Sequence, residues 1–228
     1  MRLGLQFAMP KEMYALPGMK ERRLVASVSG VDFYEVTPDI IACVGGVSKV
    51  NAAMAAEILC VCFGVDMILN AGIAGCALDL PLGTVVVASD FVQHDVDTTA
   101  VGDEIGMVST VNRVSFPAWE PERCVQLLQQ MGIPAELGRV ATGDWFAKGW
   151  ERSRGIVENF HPTVVEMEGA AIAQVCLRNE IPCVGLKVVS DHMFAENQTD
   201  EYHEFCKKLE ERFGRVTLEL ALALQKEF

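Results

Sequence analysis

"PTVVEMEGAAIAQVCLRNEIPCVGLKVVSD" (residues 162–191) decides the fold. Both ends are short valine-rich apolar runs, and the middle is alanine-rich with apolar residues at helical spacing. The pattern predicts a strand over 162–168, a helix over 169–180 and a strand over 181–191. Strand, helix, strand is the unit of an α/β protein. Two acids, Glu166 and Glu168, interrupt the unit, and Ser190 and Asp191 end it. Side chains alternate along a strand, so Glu166 and Glu168 share one face in this reading. An unpartnered buried carboxylate is costly, so such a pair is expected where ligand groups or solvent satisfy it. Two local explanations compete: Glu168 as an acid at a helix N-terminus, and Asp191 as an N-cap.

The same alternation continues outward. Residues 2–8 read as a first strand, and 23–29, 31–36 and 39–45 as strands at hairpin-like spacing. Residues 48–63 form an alanine-rich helix, and 65–72 a buried strand ending in glycine. Residues 83–93 form another strand, and 121–132 a helix closed by Gly132. A strand over 137–144 is joined by a helix to the strand at 162. A long helix over 200–228 ends the chain. Residues 100–121 lose the pattern and read as a functional loop. Strands alternating with helices argue α/β with a largely parallel sheet. No repeat or interior boundary divides the chain, so one domain is expected over 1–228.

Composition narrows the function. The 228 residues carry a net charge of −12, which argues against a nucleic-acid partner. No apolar run is long enough to span a bilayer, and the start lacks the pattern of a secretory signal. The eight cysteines sit mostly among apolar residues, which suits reduced thiols and a cytoplasmic location. Neither the cysteines nor His94, His161, His192 and His203 have metal-ligand spacing, so no metal is expected.

In open α/β sheets ligands bind beyond the carboxyl ends of the strands. The predicted strands deliver Met9 and Glu12, then Asn70 and "AGIAGC", then "TGDWF" (142–146), then Glu166, Met167 and Glu168, then Ser190 and Asp191. Carboxylates, glycines and aromatics thus converge on one rim. The glycine segments 45–53 and 70–76 resemble phosphate cradles, but neither matches a nucleotide-binding fingerprint, and tight packing explains them as well.

"AMPKEM" (8–13), "NAGIAG" (70–75), "HDVDTTAVG" (94–102), "TGDWF" (142–146), "VVEMEGAAIAQVC" (164–176) and "VVSD" (188–191) occur in that order. Together they resemble the nucleoside phosphorylase superfamily, and within it the 5′-methylthioadenosine/S-adenosylhomocysteine nucleosidase branch. The resemblance covers nearly the whole chain. It implies a three-layer α/β/α fold with a central twisted mixed sheet, no cofactor, a small nucleoside substrate and a homodimer. It implies that Glu12 activates a water and that Asp191, positioned by Ser190, is the general acid toward purine N7. It assigns Glu168 and the Met167 backbone to the ribose hydroxyls, and Phe146 and the Ala147 backbone to the base. Met9, Val47 and Tyr202 would line the pocket for the 5′ substituent, Gly75 lies in the glycine motif, and Glu166 would support from behind.

The chemistry suits these residue types. Cleaving an N-glycosidic bond puts positive charge on the sugar and negative charge on the leaving purine, so an acid and a base with opposed demands are needed. A phosphate nucleophile would need cations. The phosphorylase branch supplies an arginine and a serine where this chain has Asn70 and Ile73, so water is favoured. Lys187 stands where the nucleosidase pattern has arginine, and Val101 where it has a bulkier residue. A purine nucleoside phosphorylase and a catalytically weak nucleoside-binding protein are the alternatives.

Overall fold

The computed structural model describes residues 1–209 and 213–227. Among the described residues ten strands are formed: β1 (Leu3–Phe7), β2 (Arg23–Val28), β3 (Val31–Thr37), β4 (Ile40–Val44), β5 (Met67–Cys76), β6 (Val85–Gln93), β7 (Ser115–Pro117), β8 (Ala135–Thr142), β9 (Val164–Glu166) and β10 (Cys183–His192). The helices are α1 (Pro10–Tyr14), α2 (Lys49–Phe63), α3 (Pro121–Gln130), α4 (Trp150–Phe160), α5 (Gly169–Arg178), α6 (Gln198–Lys208) and α7 (Phe213–Glu227).

All the strands join one sheet, which has two unlike halves. One half is open and runs β2-β3-β4-β1-β5. In the other, β5 pairs with both β10 and β9, and β10-β6-β8-β9 completes a closed ring. β7 pairs with β6 outside the ring. Closure removes strand edges that would otherwise need covering. The sheet is mixed rather than largely parallel. β1, β4, β5 and β10 run parallel, while β2–β3 and β3–β4 are antiparallel hairpins and β9 and β6 run against β5 and β10.

Alternation sorts the strand residues into two cores. Leu3, Leu5, Phe7, Ile40 and Ala42 pack toward α3 and α7, through Leu127, Leu128, Val216, Leu220 and Leu224. Ile41, Cys43 and Ile68 pack on the other face toward α2 and α5, through Ala52, Ala55, Leu59, Ala170 and Ile172. Helices on both sheet faces make the three layers. β1 and β5 are buried on both faces, which is why they read as continuous apolar runs.

Several expected boundaries move. β5 does not end at Gly72 but continues through Gly75 to Cys76. The strand expected over 162–168 stops at Glu166, because α5 begins at Gly169. The expected long C-terminal helix is two helices among the described residues, with 210–212 outside them. α6 packs on β10 whereas α7 packs on α3, α1 and β1, surfaces that one straight rod does not serve. α1 was too short to show a period and is started by Pro10. β7 and a 3₁₀ turn at Thr99–Val101 order parts of the stretch expected to be irregular.

Candidate active site

β5 is the floor of the site, and two of its glycines decide what can stand on it. A Cβ at Gly72 would lie 3.1 Å from Glu12 Oε1, and one at Gly75 would lie 3.1 Å from Asp191 Oδ2. Any side chain at either position would crowd a carboxyl group. The glycines therefore serve side-chain approach, and they lie within a strand rather than in a phosphate-binding loop.

Glu12 reaches the floor from the third residue of α1 and is 1% exposed. Its Oε2 accepts from the backbone N–H groups of Ala8 (3.1 Å) and Met9 (2.8 Å), and its Oε1 from that of Ile73 (3.0 Å). Burial pushes its pKa up, against the pull of those donors and of Lys187.

Asp191 reaches the floor because β10 bulges. Val189 pairs with Ala74 and Asp191 with Gly75, so Ser190 is an extra residue in the ladder. Ser190 Oγ then lies 2.6 Å from Asp191 Oδ1 and 3.2 Å from the Ala74 carbonyl. Burial raises the Asp191 pKa, opposed by the hydrogen bonds from Ser190 and Gln198.

The two glutamates of the opening segment do not share a strand face. Glu166, the last residue of β9, turns into the protein. It accepts from the N–H groups of Glu168 (3.2 Å) and Gly169 (2.8 Å), from the Thr142 hydroxyl, and from Lys187 Nζ at 2.8 Å. Lys187 also donates to Asn70 Oδ1 at 2.6 Å. The Lys187 and Glu166 side chains are 2% and 3% exposed. Glu166 is thus the acid that meets the start of α5, the role the local explanation gave to Glu168.

Glu168 occupies the N-cap position of α5, but its side chain makes no cap bond. It crosses instead to the loop before α2, where Oε1 accepts from the Ser48 N–H at 2.8 Å. Burial first, and the Glu166 charge second, push its pKa up to about 8. Ser48 holds that position with a φ of +87°, and its hydroxyl donates to Asp144 Oδ1 at 2.7 Å.

These groups surround a cavity of about 100 Å³ that adjoins a second of about 30 Å³. Met9, Glu12, Val47, Gly75, Phe146, Glu166, Met167, Glu168, Ser190, Asp191 and Tyr202 line the first, and Ala147 lines the second. Every site residue named from the sequence therefore lies on one surface. Phe146 is 44% exposed and meets Tyr202 edge-on, with ring centroids 5.6 Å apart. No lysine or arginine among the described residues lines either cavity. Lys187 and Lys11 are nearby cations: the Lys187 ammonium is taken by Glu166 and Asn70, and the Lys11 ammonium lies over the Tyr202 ring and bonds Cys206 Sγ.

Sequence reasoning missed Gln198, which is 1% exposed and bonds Asp191 Oδ2 at 2.8 Å. It lies in a polar run, "AENQTDE" (195–201), that has no pattern to mark it. The Ser48 N–H was equally invisible, because a backbone donor has no side-chain signature.

The phosphorylase superfamily model matches residues 2–222. The chain is 33% identical over 208 residues to a 5′-methylthioadenosine/S-adenosylhomocysteine nucleosidase of Shewanella putrefaciens, covering 88% of this chain and 90% of that one. It superposes on the native futalosine hydrolase of Helicobacter pylori with a TM-score of 0.89 at 26% identity, covering 96% of this chain and 97% of that one. It superposes on an S-adenosylhomocysteine nucleosidase of Streptococcus pyogenes in complex with 5-methylthiotubericidin with a TM-score of 0.86 at 28% identity, covering 97% and 96%. A family match over nearly the whole length, joined to a shared fold, leads to one conclusion: the chain belongs to the phosphorylase superfamily.

Proposed function

We propose that the protein hydrolyses the N-glycosidic bond of 5′-methylthioadenosine, S-adenosylhomocysteine or related adenine nucleosides, releasing adenine and the 5-substituted ribose. One observation carries the reading. Two buried carboxyl groups, Glu12 and Asp191, stand over Gly72 and Gly75 of the same strand, in a cavity with no cation in its lining among the described residues.

Asp191 is the general acid. Burial raises its pKa, which favours the proton that purine N7 must receive. Ser190 orients it. Glu12 is the base: three backbone N–H groups fix its carboxylate, and its raised pKa suits removal of a proton from water. Among the described residues Glu168 has one donor, Ser48, and so keeps acceptor capacity for the 2′ and 3′ hydroxyls, with the Met167 backbone beside it. Phe146 stacks on the base and the Ala147 backbone reads its edge. Met9, Val47 and Tyr202 form the pocket for the 5′ substituent. Glu166 supports Glu168 from behind through the start of α5.

The lining also supports water over phosphate as nucleophile, since an anion among carboxylates would lack partners. Turnover is expected in phosphate-free buffer, with adenine and reducing sugar formed in equal amounts. Formation of a ribose 1-phosphate, or activity only with phosphate, would show a phosphorylase instead.

The reading extends to a homodimeric cytoplasmic enzyme of methionine salvage. Val50 and Val61 on α2 are 77% and 68% exposed, and Val101 is 81% exposed, which supports a partner subunit on that side. Light scattering at micromolar concentration tests it, and a monomer would remove it.

A further inference from the structure

Gln198 begins α6 and is the least exposed polar residue of that helix. Its Nε2 lies 2.8 Å from Asp191 Oδ2 and 2.9 Å from the Ala147 carbonyl oxygen. Both partners are acceptors, so both amide hydrogens are used and the orientation of the amide is fixed. The other orientation would set Oε1 against two oxygens. The chosen one leaves Oε1 buried without a hydrogen-bond partner among the described residues. An orphaned buried carbonyl is unfavourable, and here it accompanies a nitrogen that bridges two acceptors at the site.

The contrast with Ser190 sharpens the point. Its single hydroxyl hydrogen has two acceptors in reach, Asp191 Oδ1 and the Ala74 carbonyl. The hydroxyl can therefore donate to a charged Asp191, or turn to Ala74 and accept from a neutral one. Gln198 has no such freedom: toward Asp191 it only donates.

We propose that Gln198 is a positioning residue for Asp191. Through one nitrogen it ties the acid to the Ala147 carbonyl, and it occupies Asp191 Oδ2 at the wall of the smaller cavity, which Gln198, Ala147 and Asp191 all line. The carboxyl is thereby held in one orientation for the purine. The same bridge sets the acid relative to the backbone that meets the edge of the base. The role of Asp191 rests on the hydrolase reading; the hold of Gln198 on it does not, and the test separates the two.

The experiment uses Gln198→Met, which keeps the volume and loses the donor, and Gln198→Glu, which keeps the shape and carries no donor when ionised. Carbon-13 NMR of aspartate-labelled protein follows the Asp191 carboxyl through a pH titration without substrate. The other charged groups near it are Glu201 and His192, with Glu12, Glu166 and Glu168 across the cavity. Because a donor to a carboxylate favours its charged form, both variants should raise the Asp191 titration midpoint, by about one pH unit in Gln198→Met. With 5′-methylthioadenosine, kcat should fall about tenfold while KM changes much less, since the acid is misaligned rather than lost. The descending limb of the kcat profile should move to higher pH in step with the NMR midpoint. An unmoved midpoint in both variants, or a shifted midpoint with unchanged kcat, overturns the proposal. Failure of the wild-type protein to release adenine overturns the hydrolase reading, and the NMR titration still reports on Gln198.

Discussion

Glu166 and Glu168 are two residues apart, yet they sit in unlike regions. The region behind Glu166 is saturated: backbone N–H groups, a hydroxyl and an ammonium all point at one carboxylate. The region around Glu168 offers one backbone N–H, and its pKa is pushed up to about 8. Burial alone does not tell them apart, since both residues are 7% exposed. Supply of donors does. In this pair, the carboxylate with the full set of partners ties β9, α5 and β10 together, and the one left short keeps acceptor capacity unused by the protein.

Removing the cation from the saturated side should give the largest effect. Lys187→Met strands Glu166 as a buried charge and should cost about 3–5 kcal/mol in chemical denaturation. A loss near zero would mean that Glu166 is not held as an ion pair, and the contrast would collapse.

The carboxyl groups that face the cavity should behave in the opposite way. Asp191→Asn and Glu12→Gln should each lower kcat by about 10²-fold or more; the melting temperature should stay level or rise in Asp191→Asn and fall somewhat in Glu12→Gln, whose amide nitrogen would face a backbone N–H. A variant of either residue with near-normal kcat would remove its catalytic assignment.

Glu168→Gln should leave stability nearly unchanged at acid pH, where the wild-type carboxyl is neutral as well. It should weaken turnover of ribosides by roughly 10- to 100-fold, the scale of leaving a buried hydrogen-bonding group unsatisfied. The loss on 2′-deoxyribosides should be smaller, because one hydroxyl is already missing. Equal losses on both substrates would contradict sugar binding.

The comparison also has a pH dependence of stability. The folded pKa of Glu168, about 8, lies above its ordinary 4.5, so the fold favours the neutral form. That contribution is fully present below the ordinary value and is lost as pH rises through about 8. Between those limits the stability of the wild type should fall with pH more than that of Glu168→Gln. Parallel curves from denaturation at several pH values would place Glu168 among the saturated groups.

The sequence was most legible where one period ran unbroken. β1, α2, β6, α5 and β10 each carry a single pattern over a full element, and their places follow from it. Legibility failed at changes of role. β5 passes through two glycines that resemble a strand end, because what they accommodate, Glu12 and Asp191, comes from other elements. Alternation paired Glu166 with Glu168 because it cannot show that a helix starts between them. The closed ring was also beyond reach, since it depends on β9, a strand of three residues. The site residues surfaced through ordered motifs. Gln198 and the Ser48 N–H did not, having neither a motif nor a period.

The ring has a consequence for how the molecule breathes. Strands in a closed circuit have no free end from which to peel, so the amides of β5 and β10 should exchange with solvent deuterium only through the rarest, most global openings. β2 is an outer strand with exposed Arg23, Leu24 and Ser27, and its amides should exchange through local fraying, far sooner. The backbone beneath Glu12 and Asp191 would then belong to the slowest-exchanging unit of the protein. Motion that admits a ligand would be confined to what lies above it, the loop before α2 and the helix that carries Tyr202.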